Sequence, residues 1–237
     1  MVIDWHDQRV LVISPHPDDE VIGCGGLISK VKNDGGQVFV QFVTLGDTRD
    51  VSVAGLSTAD ERMVEIDRVA GVLKYDDWDI ALPGARYHLR LDGMAQIDLV
   101  TVIEDSARLS LRAVEPTVVL LPAPWSYNQD HRAVAEAALT ALRPMGTAGR
   151  CAPGAVALFE EVADQWSPQA TTPPNLYIEL GAKHLDDKVE AMRTYASQVR
   201  PHPHTRSLEA LRTMATVRGA HSGLALAEAY HCLRWIG

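Results

Sequence analysis

His16, Asp18, Asp19 and Glu20 fall in one short window between an apolar run, Arg9 to Ser14, and the glycine-rich Gly23-Cys24-Gly25-Gly26. On a loop entering a helix, residues three apart can turn toward a common point. His16 and Asp19 then offer an imidazole and a carboxylate, a good pair for a borderline divalent ion. A second loaded loop, Ser126-Tyr127-Asn128-Gln129-Asp130-His131, follows another apolar run, Thr117 to Leu121. His131 is the best placed of the 9 histidines to be a third ligand. Two histidines and one carboxylate leave open positions for water and substrate, as in catalytic zinc or non-haem iron(II) sites. The plainer reading is that Asp18, Asp19 and Glu20 favour a helix N-terminus through capping and the helix dipole, and that Asp130 caps its own helix. The strand, His16 and the glycines around the first three acids favour the metal.

Regular elements must position these loops. Arg9 to Ser14 predicts a buried strand, Gly26 to Lys32 a helix stopped at Asn33-Asp34-Gly35-Gly36, and Gln37 to Leu45 a second strand. Together they make a βαβ unit with a parallel strand pair and a right-handed crossover. After a loop at 46–57, Thr58 to Leu73 reads as a helix with Thr58 and Glu61 at capping-box spacing. Asp76 to Gly93 holds two short strand-like pieces around Pro83-Gly84. Ala95 to Val114 predicts one long amphipathic helix with Ile97, Val100, Ile103, Ala107 and Leu111 on its apolar face. Thr117 to Leu121 is a strand, Asp130 to Leu142 a helix, and Arg143 to Gly154 irregular. Ala155 to Val162 and Leu176 to Leu180 are strands, Asp186 to Val199 and Leu208 to Val217 helices, and the chain closes on Leu224 to Trp235. This alternation predicts a single α/β domain over residues 1–237, a Rossmann-like, mostly parallel sheet flanked by helices. In such sheets ligands bind outside the carboxyl ends of the strands, where both loaded loops lie.

The totals narrow the partners. Of the 237 residues, 22 are basic and 31 acidic, a formal charge of -9. That excludes a nucleic-acid surface, which needs clustered Lys and Arg, and leaves a small-molecule substrate. Cys24, Cys151 and Cys232 show neither a disulfide framework nor zinc-finger spacing, and read as reduced thiols. Met1 to Gln8 lacks the basic start and apolar core of a signal peptide, and no apolar run approaches the ~18 residues of a membrane span. A cytoplasmic protein is expected; the oligomeric state stays open, a homo-oligomer included.

Ser14-Pro15-His16-Pro17-Asp18-Asp19-Glu20 with Gly23, Gly25 and Gly26, placed after a strand, resembles the first motif of the PIG-L or LmbE-like metal-dependent de-N-acetylases. Asp130-His131-Arg132-Ala133-Val134 resembles their second. Weaker similarities at Arg62 and Glu65, Pro174 to Ile178, Lys188, Ser197-Gln198, Arg218-Gly219 and Ala227 to Tyr230 carry the likeness over nearly the whole chain. The resemblance implies an LmbE-like fold and a zinc-type hydrolase, with Fe²⁺ or another divalent ion as alternatives. Such an enzyme removes an N-acetyl or small N-acyl group from an amino sugar or glycoconjugate. Carried over by position, His16, Asp19 and His131 would bind the metal, Asp18 would be the general base, and Arg62 would reach the substrate.

The chain departs from that pattern at Asn128, where family members commonly carry a histidine that helps stabilise the oxyanion and that Asp130 would tune. Asn128 can donate a hydrogen bond but carries no charge, and losing one oxyanion donor costs roughly 10²–10³ in rate. The expectation is an altered site, assisted by Tyr127 or by His202, His204, His221 or His231. The alternative is a family member that binds metal and a sugar without hydrolysis. Arg62 could instead form an exposed ion pair with Glu65. Asp47 is placed to touch a sugar, though turn chemistry explains it equally. Trp125 could stack on a sugar ring, and Glu20 reads as structural. A dinucleotide site is disfavoured, because the glycine spacing is wrong and the carboxylates would repel pyrophosphate.

Overall fold

β1 (Arg9–Ser14), α1 (Asp19–Asn33) and β2 (Gln37–Leu45) form the expected βαβ unit, with β1 and β2 parallel from Arg9↔Gln37 to Ser14↔Phe42. The computed structural model describes residues 3–49, 55–144, 152–166 and 172–236. Residues 50–54 of the expected loop, and 145–151 of the expected irregular stretch with Cys151, lie outside them. The chain continues through β3 (Thr48–Arg49), β4 (Leu56–Ser57), α2 (Ala59–Leu73), β5 (Asp77–Pro83), α3 (Gln96–Thr101) and α4 (Leu111–Val114). β6 (Val118–Leu121), α5 (Gln129–Ala141), β7 (Ala155–Phe159), β8 (Leu176–Glu179), α6 (Ala182–Thr194), α7 (Leu208–Ser222) and β9 (Ala227–Trp235) complete it. No described helix is long and apolar enough to cross a membrane.

The main sheet runs β5-β2-β1-β6-β7-β9-β8, and β3 pairs separately with β4 inside the expected loop. In the main sheet β9 is antiparallel to both its neighbours, and the other ladders are parallel. From β1 the sheet grows one way through β2 and β5 and the other way through β6 and β7. The crevice between β1 and β6 is therefore the topological switch point, where open α/β sheets bind ligands.

The strands are apolar on both faces, as buried parallel strands are. Val10, Val12, Val40, Phe42 and Leu120 pack under α1, α2, α6 and α7. Their alternates Leu11, Ile13, Val43, Val119 and Leu121 pack under α3, α4 and α5.

Several expected boundaries are wrong, and the region 95–114 most of all. It is not one helix: α3 gives way to a π-turn at Val102–Ser106, and α4 restarts at Ser110, whose hydroxyl accepts the Ala113 N–H at 3.3 Å. A capping serine thus reopens a helix inside a periodic apolar pattern. The apolar face passes through Leu99, Val100 and Ile103, leaving Ile97 67% exposed. The region 76–93 holds one strand, β5, rather than two. α6 begins and ends earlier than expected, and α7 runs on to Ser222, closed by Gly223 at φ +73°. Thr58 does cap α2, accepting the Glu61 N–H at 3.1 Å.

The expected helix at Gly26 already begins at Asp19 and is bent at Cys24 (φ −143°, ψ 17°). The bend frees the amides of Gly26 and Leu27, and Glu228 on β9 accepts both, at 2.9 and 2.7 Å. Glu228 also binds Lys188 Nζ at 2.6 Å and the Tyr230 hydroxyl at 2.8 Å. The glycines of the first motif therefore serve close packing. A Cβ on Gly26 would lie 2.6 Å from Leu180 Cδ1 and 3.0 Å from Glu228 Oε1. Gly26→Ala is expected to lower stability by about 1–3 kcal/mol through overpacking, read as a lower urea midpoint at unchanged m-value.

Candidate active site

The loop after β1 is tied down by its own side chains. The Ser14 hydroxyl donates to the His16 carbonyl at 2.7 Å, and the His16 N–H donates to Asp19 Oδ2 at 2.9 Å. Asp19 Oδ2 then lies 3.4 Å from His16 Nδ1 and 3.1 Å from His131 Nε2, the latter brought in by the first turn of α5. One ligand atom from each of these three buried residues lies within 4.8 Å of the other two.

Each histidine has a carboxylate behind it. His16 Nε2 is 2.9 Å from Asp130 Oδ2, and His131 Nδ1 is 3.3 Å from Glu161 Oε1. Asp130 is itself held by the Leu91 N–H, which donates to Oδ1 at 2.9 Å. Carboxylate behind imidazole is the arrangement that fixes ring orientation and raises ligand basicity in metal sites. Burial opposes charge on His16, but hydrogen bonds to Asp130 and Asp19 raise it above the ordinary imidazole value. Burial opposes charge on His131 too, and Asp19 and Glu161 raise it further. Burial would also raise Asp19, but His131 and His16 hold it well below the usual carboxylate range. Two imidazoles around an ionised carboxylate make a donor set that suits zinc and similar divalent ions.

Asp18 stands beside this cluster in the same pocket, which is also lined by Arg62, Tyr127, Asn128 and Arg206. Its backbone sits at φ +103°, ψ −30°, a conformation that costs a residue with a Cβ of order 1–3 kcal/mol. Burial raises its carboxyl to about 6, against the pull of Arg206 and with a push from Asp19. Arg206 Nη1 donates to Asp18 Oδ2 at 3.4 Å and to Gln198 Oε1 at 2.8 Å.

The pocket thus brings together His16, Asp18, Asp19, Arg62, Asn128 and His131. Asp130 lies directly behind, and it does not cap its helix. Asn128 is the N-cap of α5, its Oδ1 accepting the Asp130 N–H at 2.9 Å, which leaves Nδ2 as its donor group. Arg62 is not an exposed ion pair with Glu65. It is 2% exposed and donates to the Pro17 carbonyl at 2.8 Å, while Glu65 accepts the Ser197 N–H and hydroxyl. Asp47 is exposed, lies outside the pocket lining, and accepts the Ala59 N–H at 2.7 Å where α2 begins. Tyr127 lines the pocket; His202, His204, His221 and His231 do not. Trp125 packs edge-on against His231, ring centres 4.7 Å apart, and against the core.

Sequence reasoning missed His88, Glu161 and Arg206 and named Gln198 only within a weaker family similarity; all four line the pocket. His88 meets His16 edge-on at 5.2 Å, and burial, with His16 and Arg62 adding to it, lowers it to about 4. Glu160-Glu161 near the carboxyl end of an expected strand was the signal available for Glu161. In the segment between α6 and α7, Ser197-Gln198 carried only the weak family similarity, and Arg206 stood in no pattern.

Residues 11–142 match the family model described as PIG-L, GlcNAc-PI de-N-acetylase. Diacetylchitobiose deacetylase of Thermococcus kodakarensis is 30% identical over 234 residues, 93% of this chain and 81% of that protein. The 2'-N-acetylparomamine deacetylase of Streptomyces fradiae is 29% identical over 149 residues, 58% of this chain and 53% of that one. Both relatives are deacetylases. The solved structure of a conserved protein from Thermus thermophilus has a TM-score of 0.70 at 21% identity, covering 94% of this chain and 93% of its own, and shares the fold. With more than half its length inside the family model and a relative 30% identical along 93% of it, the chain belongs to the PIG-L family of de-N-acetylases.

Proposed function

We propose that the protein is a divalent-metal-dependent N-deacetylase that hydrolyses an acetyl or small acyl amide on an amino sugar or glycoconjugate. The observation that carries this is the buried His16, Asp19 and His131 cluster with Asp18 beside it in one pocket. His16 Nδ1, Asp19 Oδ2 and His131 Nε2 would hold the ion, zinc by donor preference, with Fe²⁺ as an alternative. Such an ion, when bound, supplies a water of lowered pKa and polarises the amide carbonyl.

The remaining work falls to the chain. Asp130 and Glu161 keep the two imidazoles turned inward. Asp18 takes the proton of the attacking water and returns it to the departing nitrogen, while Arg206, facing its carboxylate, favours the ionised form that can accept. Asn128 Nδ2 is the neutral donor assigned to the developing oxyanion, with Tyr127 beside it. Arg62, fixed on the Pro17 carbonyl, is assigned to substrate hydroxyls. Asp47, drawn into the start of α2, has no assigned contact with substrate.

The experiment is a free-amine and acetate assay across N-acetylated glucosaminides, pseudodisaccharides and glycopeptides, with Zn²⁺ and Fe²⁺ compared. Time-dependent amine release that stops in Asp18→Ala supports hydrolysis. Saturable sugar binding with no amine from any substrate would instead favour the binding-only reading, which Asn128, engaged as a helix cap, keeps in view. Glu161→Gln removes the charge behind His131 and is expected to weaken metal affinity roughly 10–100-fold, measured by chelator competition.

A further inference from the structure

We infer that Glu20, with Tyr75 and Tyr195 that hold it, is a positioning device for Asp18, acting on its backbone rather than its carboxylate. The inference rests on the reading of Asp18 as the proton-moving group. Asp18 and Asp19 are neighbours in sequence, and successive residues at a helix project well apart. Both nevertheless line one pocket. The backbone of Asp18 reconciles these facts: at φ +103° and ψ −30° it lies where a residue with a Cβ stays only if its surroundings hold it.

The holding contacts are specific. The Asp18 carbonyl accepts the N–H groups of Val21 and Ile22 at 3.1 and 2.9 Å, as the residue before a helix ordinarily does. Its own N–H donates to Glu20 Oε2 at 3.0 Å. Glu20 is fully buried, and its other oxygen accepts the hydroxyls of Tyr75 at 3.0 Å and Tyr195 at 2.7 Å. Tyr75 lies just beyond α2 and Tyr195 just beyond α6, so two separate helices fix the carboxylate that fixes Asp18. These side-chain contacts go to Asp18 and the tyrosines, not to His16, Asp19 or His131.

This geometry separates two properties. Loosening Glu20 frees the Asp18 N–H, lets its backbone relax, and moves its carboxylate out of line, while the metal-binding side chains keep their own supports. The test measures kcat, KM, metal per chain and melting temperature for Glu20→Gln and for Tyr75→Phe with Tyr195→Phe, each made in the native and in the Asp18→Ala background. The expected result is a kcat loss of roughly 10–100-fold, with KM and metal content unchanged. In the Asp18→Ala background the same changes should cost nothing further, because groups that act as one unit are non-additive. Unchanged kcat in folded variants overturns the inference and leaves the proposed function standing. A loss of equal size in both backgrounds also overturns it, assigning Glu20 to structure alone. Full turnover by Asp18→Ala itself sinks the base assignment and the inference with it. If the Glu20 variant does not fold, Tyr75→Phe alone decides, since it removes one hydroxyl from a partly buried ring.

Discussion

Replacing Asp18 with alanine is expected to lower kcat by roughly 10²- to 10⁴-fold, the usual contribution of a general base, with bound metal per chain unchanged. Asp18 is the pocket carboxylate whose contacts run to Arg206 rather than to the histidines, so its removal leaves the ligand set whole. Asp18→Gly makes the sharper test. Glycine relieves the positive φ of this position, worth of order 1–3 kcal/mol, against roughly 0.5–1 kcal/mol of added backbone entropy cost. The glycine variant should therefore melt at or above the parent temperature while losing turnover as fully as alanine. A glycine variant that keeps turnover would overturn the base assignment.

Metal removal is the second large effect. An ion that binds only the folded chain, present at about 1,000 times its Kd, stabilises by about 4 kcal/mol. For a chain of this size that corresponds to roughly 8–16 °C in Tm. Exhaustive chelation should lower Tm by that order and abolish amine release, and re-addition of Zn²⁺ or Fe²⁺ should restore both. His131→Ala should abolish release without rescue. It also leaves the buried carboxylates of Asp19 and Glu161 without their shared partner, the kind of loss that costs about 3–5 kcal/mol. Full activity in a preparation with no detectable metal by elemental analysis would refute the centre.

The convergence of His16, Asp19 and His131 was legible because donor type and a strand end share one short stretch of sequence at each loop. Asp130 was not. An acid opening a helix looks the same whether it caps that helix or turns outward, and only the pairing of β1 with β6 brings His16, 114 positions away in sequence, against it. Arg62 stayed between two readings for a related reason: helical spacing offers Glu65 as its partner, while tertiary packing gives it the Pro17 carbonyl and a place in the pocket lining. Glu161, Gln198 and Arg206 arrive from segments whose proximity depends on the whole sheet order. The broken helix at 95–114 escaped because Val100, Ile103, Ala107 and Leu111 are all buried across the break, so apolar periodicity alone does not register it. The antiparallel β9, inserted between β7 and β8, is a non-local pairing that leaves no short-range mark.

Glu228 has a consequence for how the protein is made. It reaches Gly26 and Leu27 across 202 and 201 positions of chain. All three proposed metal ligands leave the ribosome long before it does. A nascent chain halted before β9 would already carry the side chains proposed for the site, but its first-motif helix would have two uncapped amides at the bend and its Lys188 would be left without the Glu228 counter-charge. The packing of the first-motif helix is therefore completed only when β9 joins the sheet, through a residue outside the lining of the pocket that holds His16, Asp19 and His131.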